Sequence, residues 1–257
     1  MYDLETRRRA LALVGQGHSL NSVSRRTGIS RSAIRSWRER LHPLSPASRR
    51  NECPRCSPGA PLAAAAYAYL LGLYLGDGCI SAHPRGGYAL RIACADAWPG
   101  LIEACRDAIG TVRPMNRICA VRNPGCTTVT CYSHHWPCLF PQHGPGKKHE
   151  RVIALADWQQ DIVAENPWEF IRGLMHSDGC RVINRTARTV AGERRSYSYP
   201  RYFFTNTSAD ILRLFTASLD RVGVEWRTCR RSGGARNISV ARRASVALMD
   251  EHIGPKY

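Results

Sequence analysis

Leu70-Leu-Gly-Leu-Tyr-Leu-Gly-Asp-Gly78 and Ile171-Arg-Gly-Leu-Met-His-Ser-Asp-Gly179 are the two stretches that decide the fold. They align position by position, and each reads as a helix that stops at Asp-Gly. Small residues recur four apart on one face of each, Gly72 with Gly76 and Gly173 with Ser177. Positions four apart share a helix face, and a face without side chains lets two helices meet backbone to backbone. If the two helices pair, Asp77 and Asp178 emerge together at the same end. Taken singly, Asp-Gly at a helix end is a common turn signal, so the weight lies in the recurrence.

The flanks repeat as well. After Asp77 come two strand-like runs, Cys79 to Ala82 and Tyr88 to Ala95, joined by Pro84-Arg-Gly-Gly87. An amphipathic stretch then ends at Ile109-Gly110. After Asp178 come Cys180 to Asn184 and Tyr202 to Asn206, with an arginine-rich insertion from Arg185 to Pro200 that reads as a long hairpin or a solvated loop. A helix from about Ser208 ends at Val222-Gly223. A second hairpin follows in each half, within Val112 to Tyr132 and within Val224 to Ala241. Each half closes with a short helix and a similar tail, His143-Gly-Pro-Gly-Lys147 and His252-Ile-Gly-Pro-Lys256. Lys147, Lys148 and Lys256 are the only lysines among 37 basic residues. Against so much arginine, their confinement to the tails suggests a specific need for lysine.

Composition bounds the function class. The 257 residues hold 44% hydrophobic and 22% charged side chains, which suits a folded globular chain rather than a disordered one. The 37 basic and 20 acidic residues leave a formal charge of +17. A field of that sign attracts polyanions, nucleic acid first. The apolar run Pro61 to Gly76 falls short of the roughly 20 residues a membrane span needs and stops at Asp77. No membrane association is expected. The first residues lack the apolar core of a signal peptide, and eleven cysteines without small-scaffold spacing are expected as reduced thiols. The expected location is the cytoplasm, in association with the nucleoid.

Residues 1–41 read as three short helices. The first runs from about Leu4 to Val14, Ser19 caps the second, Gly28 supplies a tight turn, and Ser30 caps a third from Arg31 to Leu41. Leu20, Val23, Ile29, Ile34 and Trp37 fall where a helix-turn-helix buries its core. The segment resembles the helix-turn-helix of transposase-like and resolvase-like DNA-binding domains. That resemblance implies a third helix in the major groove, with Arg31, Ser32, Arg35 and Arg38 on its outer face. A small helical domain with a solvated basic face is the plainer alternative.

Residues 42–65 read as a Pro-, Ser- and Arg-rich linker. It carries Cys53-Pro-Arg-Cys56, which could supply half of a tetrahedral zinc site. His42, Cys79 or Cys126 could supply the rest, and a turn with two thiols is the alternative.

Residues 66–257 are similar to the LAGLIDADG homing endonucleases, on the two motifs, their half-domain spacing and their matching flanks. The resemblance implies an α+β fold, a pseudo-twofold pair of αββαββα halves (66–165 and 166–257) forming a saddle on DNA. It implies a site-specific, divalent-metal-dependent double-strand DNA endonuclease acting as a monomer. Asp77 and Asp178 would each bind Mg²⁺, with the carbonyls of Gly76 and Ser177 beside them and two or more ions bridged to DNA. Lys147 and Lys256, with Lys148 as the alternative in the first half, would polarise water or support the phosphate. The family's first acidic position is Leu75 in one half and His176 in the other, a departure that does not touch the implied metal ligands. Cys79 and Cys180, each following Asp-Gly, are expected as inward-facing strand residues, since Mg²⁺ avoids sulfur. Cys131, His134 and His135 lack counterparts in the second half and are expected in packing or DNA contact. A transcription regulator that reuses the fold without cutting is the alternative, favoured by the N-terminal helices. The paired acids oppose it, because two carboxylates facing phosphate weaken binding unless a cation sits between them.

Overall fold

In the computed structural model, which describes residues 2–39, 41, 53–57, 60–84, 86–190, 192–230 and 236–257, the chain divides into two units, residues 1–60 and 61–257. Arg40, His42, Arg85 and most of the expected linker lie outside the described residues.

The first unit is helical. Asp3 starts α1 (Leu4–Gly15) by accepting from the Thr6 N–H, and Ser19 starts α2 (Leu20–Thr27) by accepting from the Ser22 N–H. Each oxygen satisfies a backbone donor that the first helical turn leaves open. Gly28 closes α2 at φ 69°, where a side chain would be strained, and the Ser30 hydroxyl accepts from Ala33 at the start of α3 (Arg31–Glu39). Ala10, Val23, Ile29, Ile34 and Trp37 form the core. The Arg7 guanidinium lies 5.2 Å from the centre of the Trp37 ring.

The second unit has α4 (Ala64–Asp77), β1 (Gly78–Ala82), β2 (Tyr88–Ala95), α5 (Pro99–Val112), β3 (Ile118–Asn123), β4 (Cys126–Ser133) and α6 (Trp136–Leu139), then a 3₁₀ turn at Lys148–Glu150. A connecting helix α7 (Asp157–Glu165), which sequence reading did not separate, leads into the repeat. This comprises α8 (Pro167–Asp178), β5 (Gly179–Val190), β6 (Glu193–Asn206), α9 (Ala209–Arg221), β7 (Arg227–Arg230), β8 (Arg236–Val240) and α10 (Arg243–His252). The fold is mixed α+β, with two four-stranded antiparallel sheets of equivalent order, β1-β2-β4-β3 and β5-β6-β8-β7.

α4 is apolar on all sides because it is covered on all sides, and Tyr67 through Leu75 are buried without a break. Its small-residue face meets that of α8. A Cβ added to Gly173 would collide with the Tyr69 carbonyl oxygen, and one on Gly72 would fall 2.6 Å from that of Phe170. Only glycine permits this approach, as the four-residue spacing indicated. One hydrophobic core runs through both halves of this unit, from Tyr67 and Leu70 to Phe204, Phe215 and Met249. A buried polar knot holds α7 in place. Gln159, fully buried, donates to the Tyr67 hydroxyl at 2.7 Å and bonds the Gln142 side chain, while Tyr67 donates to the Leu139 carbonyl.

The insertion after Asp178 is a continuation of the sheet. β5 and β6 pair without interruption from Gly179↔Phe204 out to Val190↔Glu193. The first half's hairpin stops at Ala82↔Tyr88.

Candidate active site

Helices α4 and α8 end side by side, and Leu75 and Gly76 of the first and Asp178 of the second line a cleft of about 560 Å³, with Asp77 beside Gly76 but outside the lining. A Cβ on Gly76 would collide with the Ser177 side chain and fall 3.3 Å from Asp178 Oδ2. The glycine therefore makes room for the second half's carboxylate. Tyr74, Gly76, Cys79, Lys148, Asp178 and Asn206 line the cleft.

The lysines come from the two tails. Lys148 Nζ donates to the carbonyls of Tyr74, Gly76 and Gly78 at 2.5, 2.6 and 2.8 Å. Lys256 Nζ donates to the Ser177 carbonyl at 2.9 Å. Gly76 and Ser177 are equivalent motif positions, so each lysine grips the carbonyl just before one aspartate. A carbonyl oxygen has two lone pairs, which leaves one on each for another partner. Lys147 stands elsewhere. It is 71% exposed and pairs with Glu150 at 3.3 Å. The physical reason lies in the backbone: Lys147 is the extended residue before the 3₁₀ turn, and the turn directs the next residue inward. In the first half, then, the lysine that reaches the motif is Lys148. Arg151 fixes this tail by donating to the Gly144, Pro145 and Gly146 carbonyls.

The electrostatics follow from crowding like and unlike charges into one cleft. Asp77 is exposed yet hemmed in by protein around it, and this desolvation pushes its carboxyl up to about 6, helped by the Asp178 charge and opposed by Lys256 and Lys148. Burial raises Asp178 too, against a hydrogen bond from Asn206. Burial lowers Lys148 to about 8 and also lowers Lys256, while both aspartates pull the other way. Two acids that resist ionisation in the same place are stabilised by a cation between them. The donor set is two carboxylates plus backbone carbonyls, which is the hard-oxygen chemistry of Mg²⁺ or Ca²⁺.

Sequence reading missed Asn206. Its Nδ2 donates to Asp178 Oδ2 at 2.7 Å, while its Oδ1 accepts from the Ser208 N–H at 2.8 Å and so fixes the amide's orientation. The strand register could have found it. Gly179 faces Phe204 and Gly78 faces Ile92, so the first-half counterpart of Asn206 is Cys94. The two halves of the site are therefore not equivalent.

The other expected residues fall as follows. Leu75 is fully buried and His176 is 6% exposed, both in helix packing. Burial brings His176 down to about 4, and its Nδ1 lies 2.9 Å from the Tyr69 hydroxyl. Cys79 and Cys180 are exposed, contrary to the inward-facing expectation. Side chains alternate along a strand, and in β1 it is Ile80, the next residue, that enters the core. Cys131 is core, whereas His134 is exposed. Arg31, Ser32, Arg35 and Arg38 are on α3 away from its core side, where Ile34 and Trp37 are buried. Cys53 and Cys56 bracket a tight turn, whose Cys56 and Ser57 N–H groups both donate to the Cys53 carbonyl.

No family model matches the sequence, and no curated protein matches it. Solved structures similar to the chain include I-DmoI in complex with DNA and Mn, at 14% identity and a TM-score of 0.47, covering 76% of this chain and 98% of that one. I-DmoI in complex with DNA and Ca gives 16% and 0.48, with 74% and 89% covered. The LAGLIDADG meganuclease I-AabMI bound to uncleaved DNA gives 12% and 0.47, with 72% and 83% covered. I-DmoI is a homing endonuclease.

Proposed function

We propose that this chain is a site-specific, divalent-metal-dependent double-strand DNA endonuclease of homing type, acting as a monomer. The observation that carries the reading is the meeting of Asp77 and Asp178 at the ends of paired helices, each with a lysine on the carbonyl before it. A protein that only binds DNA has no use for two crowded acids at the ends of its paired helices. One carboxylate per half suits one scissile phosphate per strand.

Asp77 and Asp178 would hold Mg²⁺, with the free lone pairs of the Gly76 and Ser177 carbonyls in reach. Bound there, the ions supply Lewis acidity for the leaving oxygen and lower the pKa of attacking water. The chain's own residues do the rest. Lys148 and Lys256 hold positive charge against the phosphate and keep the carbonyls oriented. Asn206 holds the Asp178 carboxylate in one rotation. Along the sheets, Arg91, Arg201 and Arg227 provide phosphate and base contacts, and the arginines of the long β5–β6 hairpin extend them on the second-half side. Arg31, Ser32, Arg35 and Arg38 on α3 give the N-terminal unit a second DNA-binding surface of helix-turn-helix type.

The test selects DNA bound by the protein in Ca²⁺ and then adds Mg²⁺. Cut ends are expected in both strands. Asp178→Asn is expected to bind the selected DNA as well and to lose cutting of at least one strand. Selective binding by both proteins without any cut would replace the endonuclease with the transcription regulator.

A further inference from the structure

The two hairpins that follow the aspartates differ in length and in support. Gly179↔Phe204 is equivalent to Gly78↔Ile92, so the first half's last pair, Ala82↔Tyr88, corresponds to Ile183↔Pro200. The seven pairs from Asn184↔Tyr199 to Val190↔Glu193 have no counterpart. In the first half, β4 pairs with β2 along its whole length. In the second, β8 pairs with β6 only from Tyr202 to Asn206. Pro200, with no N–H to give a further strand, stands just beyond that limit. Residues 184–199 thus continue as a ribbon of two strands, joined by no third strand among the described residues. Arg185 and Arg194 are exposed on one face of it, and Arg188, Arg195 and Tyr197 on the other. A two-stranded ribbon with no apolar face to bury is marginal in water.

Its charge is also unbalanced. Residues 183–200 hold four arginines and one acid, Glu193. Arg188 and Arg195 are directly opposite one another, and like charges so placed destabilise a hairpin. Glu193 lies 3.5 Å from Arg195, but both side chains are more than half exposed, and such a pair contributes little. A ribbon that neither buries a core nor neutralises itself is stabilised by a polyanion laid on it. The face of Arg188 and Arg195 continues that of Arg201, opposite the buried Tyr202 and Phe204. On the same face the Asn184 amide donates to the Tyr199 hydroxyl at 2.7 Å. An amide has two hydrogens and an acceptor oxygen, so this bond orients Asn184 while keeping a donor and an acceptor for a base edge.

We propose that residues 184–199 are an arm that lies along duplex DNA outside the second-half side of the target and makes the recognised sequence longer on that side by about seven base pairs. Seven residues at about 3.3 Å each reach about 23 Å, and the duplex rises about 3.4 Å per base pair. The major groove admits a two-stranded ribbon. Arg188 and Arg195 take phosphates, which removes their mutual repulsion, and Asn184 with Tyr199 meets base edges. The inference rests on the reading of the sheets as the DNA-contacting surface, and it adds that the two half-sites differ in length.

The test is hydroxyl-radical footprinting of the full chain on its selected DNA in Ca²⁺, beside Arg188→Ala/Arg195→Ala. The parent footprint is expected to run about seven base pairs further on one side of its centre than on the other. The double variant is expected to lose that outer protection and keep the rest. Its affinity is expected to fall about tenfold or more near physiological salt, and its logarithmic salt slope to shrink by roughly 1.8, for two phosphates. Because the two arginines repel each other, the variant is expected to unfold at a temperature no lower than the parent, which separates lost contact from lost folding. On DNA trimmed of the outer segment, parent and variant are expected to bind alike. A footprint of equal reach on both sides, or a parent indifferent to the trimming, would overturn the proposal. So would an RNA that competes through Arg188 and Arg195 while the outer DNA goes unprotected, which would give the arm to RNA. These readouts are of binding. An asymmetric footprint without any cut would sink the endonuclease and leave the arm standing, and cutting with a symmetric footprint would do the reverse.

Discussion

Lys148 places its ammonium on three carbonyls at the end of α4, and both aspartates are close enough to favour its charged form. Lys147, one residue earlier, is largely exposed and pairs with Glu150. Replacing each in turn by methionine separates the two. Lys148→Met is expected to slow cutting about a hundredfold or more, in the range seen when a positioned proton-bearing group is removed, and Lys147→Met to leave the rate within about twofold, as single-turnover rates would show. Sequence reading put Lys147 first because both tails read Gly-Pro followed closely by lysine. Telling the two apart needs the path of the backbone through the 3₁₀ turn, which a tail with one extra glycine does not disclose. The aspartates were legible because helix-end acids recur with their neighbours. Their protonation adds a pH dependence. Asp77 titrates near 6, above the ordinary carboxylate range, so below that pH it carries a proton and cannot hold a cation. Proton and metal then compete for one site. The Mg²⁺ concentration for half-maximal cutting is expected to rise about tenfold for each pH unit below about 6 and to level off above it. A requirement that stays flat from about pH 7 to 5 would remove Asp77 from the metal site.

At the scale of elements, the α4–α8 contact sets everything downstream, since both aspartates are placed by the register of two helices. Gly173 has no space for a methyl group, because its Cβ would meet the Tyr69 carbonyl, and backbone cannot swing aside as a side chain can. Gly173→Ala is expected to destabilise the protein by about 1–3 kcal/mol, the usual range for overpacking. Gly110 is also helical, but a Cβ there would make ordinary contact with Ile118 at 3.5 Å. Gly110→Ala is expected to be neutral or to stabilise by up to ~1 kcal/mol through helix propensity. Urea denaturation of the two variants against the parent measures both. These helices were readable from small residues at four-residue spacing, and the strands from their alternation and turns. What was not readable was α7, where Gln159 and Gln142 stabilise one another inside the core. Two glutamines distant in sequence carry no pattern. Asn206 was hidden for a related reason: its role follows from the pairing of β5 with β6, and the opposite half has Cys94 at that place, so the repeat gave no hint of it.

At the scale of the whole molecule, the described residues form two hydrophobic cores, Ala10, Val23, Ile29, Ile34 and Trp37 in one unit and the large core from Tyr67 to Ile253 in the other. Each unit thus has its own apolar centre, and the cleft is built from the second unit's residues. The arginines of residues 1–41 add to a charge already far from neutrality, and phosphate contacts of that kind contribute affinity that falls steeply with salt. Removing residues 1–50, which leaves Cys53 and Cys56 in the chain, should therefore separate affinity from chemistry. The truncated protein is expected to fold, to cut saturating target DNA at a rate within about twofold of the full chain, and to bind it about tenfold or more weakly near physiological salt. Its binding should also depend less on salt, by roughly 0.9 in the logarithmic slope for each phosphate that the removed segment had neutralised. Binding titrations at several salt concentrations, read beside single-turnover cutting, measure the two quantities independently. An unchanged affinity and slope would mean that α3 does not touch DNA, and disappearance of the cooperative unfolding transition would mean that residues 1–50 belong to the second unit's fold.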